Sequence, residues 1–192
     1  MNDQIFETVV TSVAPDGRPH IAPMGVRYRG RQVVLMPFKP STTLDNVVTT
    51  GHAVLNIVTD TRVFAGCVTG RREWPTVPAE TIPGVRLASA LSHLELRLAQ
   101  RDDDAQRPVL LMERVHERSH APFAGFNRAQ AAVIEGAVLV SRLRMLPASK
   151  VDAEMAYLQI AIDKTAGPEE QEAWSWLREA VAAHRVESKE QT

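Results

Sequence analysis

Ile21-Ala22-Pro23-Met24-Gly25-Val26-Arg27-Tyr28-Arg29-Gly30-Arg31-Gln32-Val33-Val34-Leu35-Met36 is the stretch on which the fold turns. In its first half Ala22, Met24, Val26 and Tyr28 share one side of an extended chain, and Ile21, Pro23, Gly25 and Arg27 share the other. That period of two marks a β-strand. Arg29-Gly30-Arg31 supplies a turn, and Val33-Val34-Leu35-Met36 is apolar on both faces, as in a strand covered on both sides. Upstream, Ile5 to Val13 is rich in Val and Thr and ends at the turn residues Pro15-Asp16-Gly17. Three strands on short turns predict an antiparallel meander.

Working outward, Pro40 cannot extend a ladder, and Ser41 or Thr42 is a good N-cap for a short helix. Asp45, three residues after Thr42, comes close to a capping box, and Gly51 supplies a C-terminal stop. A strand from His52 to Thr59 and a short helix within Thr61–Gly70 follow. Arg71 to Gly84, with Trp74 and three prolines, reads as an irregular loop. Strands return at Ser92–Leu98, where His93, Glu95 and Arg97 alternate with Leu94, Leu96 and Leu98, and at Pro108–Arg118. Arg101-Asp102-Asp103-Asp104 between them is a solvated turn.

The last third is helical. Asn127 caps a helix to about Leu146, with Gln130 in the capping-box position and Arg128, Glu135 and Arg142 as its charged stripe. Pro147 stops it. Ser149 caps a second helix, with Val151, Met155, Leu158 and Ile162 on one side. Gly167-Pro168 opens a third, with Trp174, Leu177, Val181 and His184 at helical spacing. The expected domains are a barrel core at 1–122, a helical subdomain at 123–186 and a frayed tail at 187–192.

Across 192 residues the chain is 44% apolar and 23% charged, with a formal net charge of −1. No global field draws it to nucleic acid or anionic lipid, so neither is expected as a partner. Cys67 stands alone, which excludes an intrachain disulfide and a cysteine-rich zinc site and points to a packed thiol. The opening Met1-Asn2-Asp3-Gln4 is acidic, and no apolar run approaches the roughly 20 residues of a membrane span. Cytoplasmic localisation is the resulting expectation.

Three features carry chemistry. Ser41, Thr42 and Thr43 lie at a helix start, where hydroxyls and unpaired amides can hold an anion, with Lys39 adding charge; simple capping is the competing account. Pro23 and Gly25 thin one face of their strand, which suits a flat ring against the backbone, or equally a barrel-corner bulge. Asn56 is the one polar side chain in an apolar strand, there either for a ligand or for a neighbouring backbone group. A phosphate site and a planar-ring site in one small barrel are what flavin mononucleotide (FMN) requires.

The sequence also resembles a known family. Glu7-Thr8-Val9-Val10-Thr11, Ala22-Pro23-Met24-Gly25-Val26, the Pro37-Phe38 pair with Ser41, Thr43, Leu44 and Asn46, and Phe126-Asn127-Arg128-Ala129 followed by Ala132-Val133-Ile134-Glu135 are similar to domain-of-unknown-function family 447. The resemblance runs through Lys164-Thr165-Ala166-Gly167. It implies an α+β fold: an antiparallel Greek-key split β-barrel of the flavin-reductase type with a C-terminal helical extension. It further implies a homodimer with FMN near the subunit interface. Ser41 and Thr43 would hold the phosphate, the Met24-Gly25-Val26 backbone would face the isoalloxazine, and Asn127 and Arg128 would approach the site. Met36 departs from the pattern, standing where a basic residue often precedes the Pro-Phe pair. The activity implied is that of an FMN-dependent oxidoreductase linked to tetrahydromethanopterin one-carbon metabolism, or alternatively a flavin carrier or sensor without turnover.

Other candidates read more weakly. Glu113, His116 and His120 would suit a metal if His116 and His120 shared a helix face, but Val109-Leu110-Leu111-Met112 favours a strand, and no metal site is expected. Arg114, Arg118 and Arg128 could attract an acidic substrate, but read more readily as ordinary surface charge. Haem on the same barrel would need His20, His52 or His93 as an axial ligand. No nucleophile elbow, P-loop or dinucleotide-binding fingerprint occurs.

Overall fold

In the computed structural model, which describes residues 4–190, β1 (Phe6–Val13), β2 (Pro19–Arg29) and β3 (Gln32–Leu35) form the expected meander. Gly17 and Gly30 hold its turns with φ of 85° and 60°, left-handed backbone that only glycine adopts freely. Helix α1 (Thr42–Thr50), β4 (His52–Ile57) and helix α2 (Arg62–Val68) follow. Next come β5 (Thr76–Pro78), β6 (Val85–Leu87), β7 (Ser92–Asp102) and β8 (Val109–Ser119). Helices α3 (Arg128–Val140), α4 (Ala148–Thr165) and α5 (Pro168–Glu190) complete the order, with a 3-10 turn at Leu143–Met145.

The barrel closes as β1-β2-β3-β8-β7-β4, all antiparallel. The run β4-β1-β2-β3 is the spatial order of a Greek key. The expected α+β class, an antiparallel barrel followed by helices, is therefore the observed architecture. Val10, Val26, Leu35, Leu55, Leu96 and Met112 are among the residues that fill the interior. Helix α1 packs on β1, β2 and β4, and Asn46 Nδ2 donates to Ser12 Oγ at 3.0 Å. Ser41 is its cap: Oγ accepts from the Leu44 amide at 3.2 Å. Leu44 thus takes the position a capping box needs, and Asp45 falls one residue late. Gly51 ends the helix at φ 78°, as expected.

The segment read as irregular loop holds β5, which pairs with β6. Two strands of three residues each, flanked by Pro75 and Pro83, are too short to show alternation. This hairpin covers the outer face of β1, β4 and β7. Asn56, His93 and Glu95 alternate with the core leucines, so they point out of the barrel, yet all three are fully buried. Asn56 Oδ1 accepts from the Leu87 amide at 2.8 Å, and the Thr11 hydroxyl donates to the Val85 carbonyl. Glu95 accepts from the amides of Glu80 at 2.5 Å, Thr81 at 2.8 Å and Ile82 at 3.0 Å, and from the Thr81 hydroxyl at 2.5 Å.

The chain divides into two compact units. The segments ending at Val58 and spanning Glu73–Phe123 make the barrel unit, whereas Thr59–Arg72 and the chain from Ala124 make the helical one. Within the helical unit α2 packs on α3 and α5 and buries Cys67. Helix α3 stops at Val140 rather than near Leu146. Gln130 Nε2 donates to Glu170 at 3.1 Å, a tertiary bond that replaces the expected capping box. Ser149 lies inside α4, which starts after Pro147, and α5 continues through Glu190. Residues 191 and 192 of the expected tail lie outside the described residues. No described helix is long and apolar enough to cross a membrane.

Candidate functional site

β2 is paired unevenly. Its residues Pro19–Val26 have β1 on one side, but only Arg27, Tyr28 and Arg29 are paired with β3 on the other. Arg27 faces Val34 in that register, so its continuation would set Val26 against Leu35 and Gly25 against Met36. β3 ends at Leu35 instead, and the chain leaves the sheet through Met36-Pro37-Phe38 to the start of α1. β2 and β3 part at this point. Among the described residues the Gly25 backbone, which faces away from β1, has no strand partner opposite Met36, whereas Met24 is turned to β1 and its carbonyl accepts from the Thr8 hydroxyl at 2.8 Å.

Two guanidiniums converge on the same segment. Arg27, half-buried on β2, donates from Nη1 to Met36 Sδ at 3.1 Å. Arg107, half-buried before β8, donates from Nε to the Met36 carbonyl at 3.2 Å and stacks over Phe38, its Cζ 4.5 Å from the ring centroid. Among the described residues neither cation has a carboxylate within ion-pair distance. Two guanidiniums held on one chain segment can together bind an anion. Lys39, in contrast, is turned to the β7–β8 loop: Nζ donates to the Asp104 carbonyl at 2.9 Å and lies 4.0 Å from Asp103 Oδ1.

The residues singled out from sequence fall into three groups. Met24, Gly25, Val26, Pro37, Phe38, Ser41, Thr42 and Thr43 all lie on the β2 edge, the departing segment or the first turn of α1. Pro37 and Thr43 are buried, Thr42 and Phe38 exposed. The space over Gly25 is already taken, since a Cβ there would stand 2.7 Å from Ile5 Cγ2 and 3.3 Å from Glu7 Oε1. Asn56 forms the second group. Its Nδ2 donates to the Val9 carbonyl at 3.0 Å, with Thr11 Oγ1 and the Val54 carbonyl each at 3.3 Å, so both ends of the amide serve the protein's own chain. Asn127 and Arg128 form the third, in the helical unit. Asn127 caps α3, accepting from the Ala129 amide at 2.7 Å, and its Nδ2 donates to the Thr165 carbonyl at 3.1 Å; Arg128 is exposed.

Sequence reasoning missed Arg27 and Arg107. Eighty positions separate them, and only the β3–β8 pairing brings them to one place. The available signal for Arg27 was its position on the same strand face as Gly25.

Comparison with known proteins agrees with this architecture. No curated protein is similar enough in sequence to register as a relative. Among solved structures, an FMN-bound protein from Methanosarcina mazei, described as a member of family DUF447, superposes with a TM-score of 0.79 at 20% identity, over 93% of this chain and 96% of that one. A 2-nitrobenzoate 2-nitroreductase from Pseudomonas fluorescens gives 0.54 at 22% identity, over 62% of this chain and 66% of that one. A flavoredoxin from Methanosarcina acetivorans gives 0.51 at 12% identity, over 62% and 74%. Residues 6–121 match the family model described as "Protein of unknown function (DUF447) N-terminal domain", and residues 127–179 match the model described as "Protein of unknown function (DUF447)". This chain, barrel and helices alike, belongs to the DUF447 family.

Proposed function

We propose that this protein binds FMN without covalent attachment and works as a flavin-dependent oxidoreductase. The observation that carries the reading is the convergence of Arg27 and Arg107, neither with a carboxylate partner among the described residues, on Met36 between the open edge of β2 and the capped start of α1. A phosphate dianion is the ligand such a pair suits. Free amides at the start of α1 would add hydrogen bonds, and the Gly25 backbone, which faces away from β1, offers a donor and an acceptor for a heterocycle edge. The flavin-bound relative and the flavin-named neighbours support the same reading.

Bound FMN would supply the hydride or electron transfer. The chain's own residues would bind and orient it: Arg27 and Arg107 by charge, Ser41 and Thr43 at the helix start, and Phe38 and Ile5 by covering apolar surface. A homodimer and a place in tetrahydromethanopterin-linked one-carbon metabolism belong to the same proposal, supported by the family membership.

The test is spectroscopic. Purified protein should be yellow or take up one equivalent of FMN, and the flavin bands should bleach anaerobically with a reduced nicotinamide or reduced deazaflavin donor. Uptake without bleaching would identify a flavin carrier or sensor instead. Absence of uptake would end the flavin reading.

A further inference from the structure

Under the β5–β6 hairpin lies a polar cluster that the flavin reading does not use. Glu80 comes from the hairpin, His93 from β7 and His116 from β8, and one ligand atom of each lies within 4.8 Å of the others. His116 Nε2 is buried and has no hydrogen-bond partner among the described residues, although Glu80 Oε2 is 3.5 Å away. His93 is fully buried, with Nε2 3.3 Å from Glu95 Oε1 and Nδ1 2.9 Å from His120 Nε2. We propose that Glu80, His93 and His116 hold one divalent transition-metal ion.

The chemistry of the donors supports this. Two imidazoles and one carboxylate are a ligand set for zinc or ferrous iron, leaving positions open for water or substrate. Ligand bonds near 2.0–2.2 Å put the donors of a tetrahedral site roughly 3.3 Å apart, so the cluster closes on an ion by shifts of about 1 Å. Glu80 sits on the covering hairpin rather than in the barrel wall, which makes that shift inexpensive. His93 already has the outer support a ligating histidine needs. Its contact with Glu95 is the longer of its two, so Nε2 is the nitrogen that turns to the metal. Nδ1 then carries the proton and donates it to His120 Nε2. Glu95 loses little, because its carboxylate keeps four other donors. It also adds a second negative charge near the ion.

One cation now competes. Arg118 Nη1 donates to both oxygens of Glu80 at 3.0 Å, from a side chain that is 59% exposed and free to swing out. Removing it should strengthen the site.

The experiment titrates the untagged, EDTA-treated full chain with cobalt(II), followed by its visible d–d bands, and then displaces cobalt with zinc. One equivalent should bind. Glu80→Gln and His116→Gln should each weaken binding by about 100-fold while circular dichroism stays native, and Arg118→Gln should tighten it about threefold. X-ray absorption of the zinc-loaded wild type should show two imidazoles and an oxygen ligand, a check that needs no variant to fold. No binding of either metal at 100-fold excess, loss in only one of the two ligand variants, or a spectrum without two imidazoles would overturn the proposal.

Discussion

Asn56 Oδ1 accepts the Leu87 amide at 2.8 Å, joining a wall strand of the barrel to the hairpin laid over it. Both groups are fully buried. Asn56→Ala leaves the Leu87 N–H and the Val9 carbonyl without that partner, at a cost of about 3 kcal/mol in urea denaturation. Asn56→Asp should cost more, because a carboxylate would face the Val9 and Val54 carbonyls. A change under 0.5 kcal/mol in both would show that the amide does not fasten the hairpin.

Glu95 makes stability depend on acid. Burial favours its neutral form, but hydrogen bonds from the Thr81 hydroxyl, the Glu80 and Thr81 amides and His93 outweigh this and hold its carboxyl at about 2. The ordinary value is 4.5. A folded value below the unfolded one means stability that is complete above about pH 4.5 and is lost as pH falls toward 2. The difference corresponds to about 3 kcal/mol. Thermal melts in EDTA should show a downward slope across that window for the wild type and a flatter one for Glu95→Gln, which should also be less stable at pH 7.

Arg27→Gln and Arg107→Gln should each weaken FMN binding about tenfold, near 1.4 kcal/mol, if each contributes one charge-assisted contact to phosphate. Riboflavin, which lacks the phosphate, should bind both variants as it binds the wild type. Equal losses for the two ligands would place the arginines elsewhere than at the phosphate.

Gly136→Ala tests the helical unit alone. A Cβ there would stand 2.8 Å from Trp174 Cζ3 and 3.0 Å from Leu177 Cδ1. Overpacking of this kind costs about 1–3 kcal/mol, and helix propensity returns about 1. The melting temperature should fall; a rise would mean that α3 and α5 move apart without penalty.

Local chemistry was the legible part of this chain. Alternation over Ala22–Tyr28 placed β2, and Gly51 and the pair Ser41 or Thr42 gave the ends of α1, because each rests on neighbours in sequence. What failed needed long-range pairing. Gln130 fits a capping box by spacing, yet Glu170 takes its side chain. His93 and Glu95 alternate correctly with leucines, but only the hairpin, itself too short and proline-rich to read, buries that polar face. Of the candidate site, the β2 edge and the α1 start were visible, whereas Arg27 and Arg107 meet only after β3 pairs with β8.

The fastening of the hairpin has an evolutionary consequence. Thr11, Asn56 and Glu95 grip peptide groups almost entirely, the Thr81 hydroxyl being the exception. A clasp that reads mostly main chain places little constraint on the half-buried and exposed side chains it carries. Residues such as Val77 and Arg86 can therefore diverge among relatives without loosening the cover, leaving this surface open to new specificities while the barrel beneath stays constant.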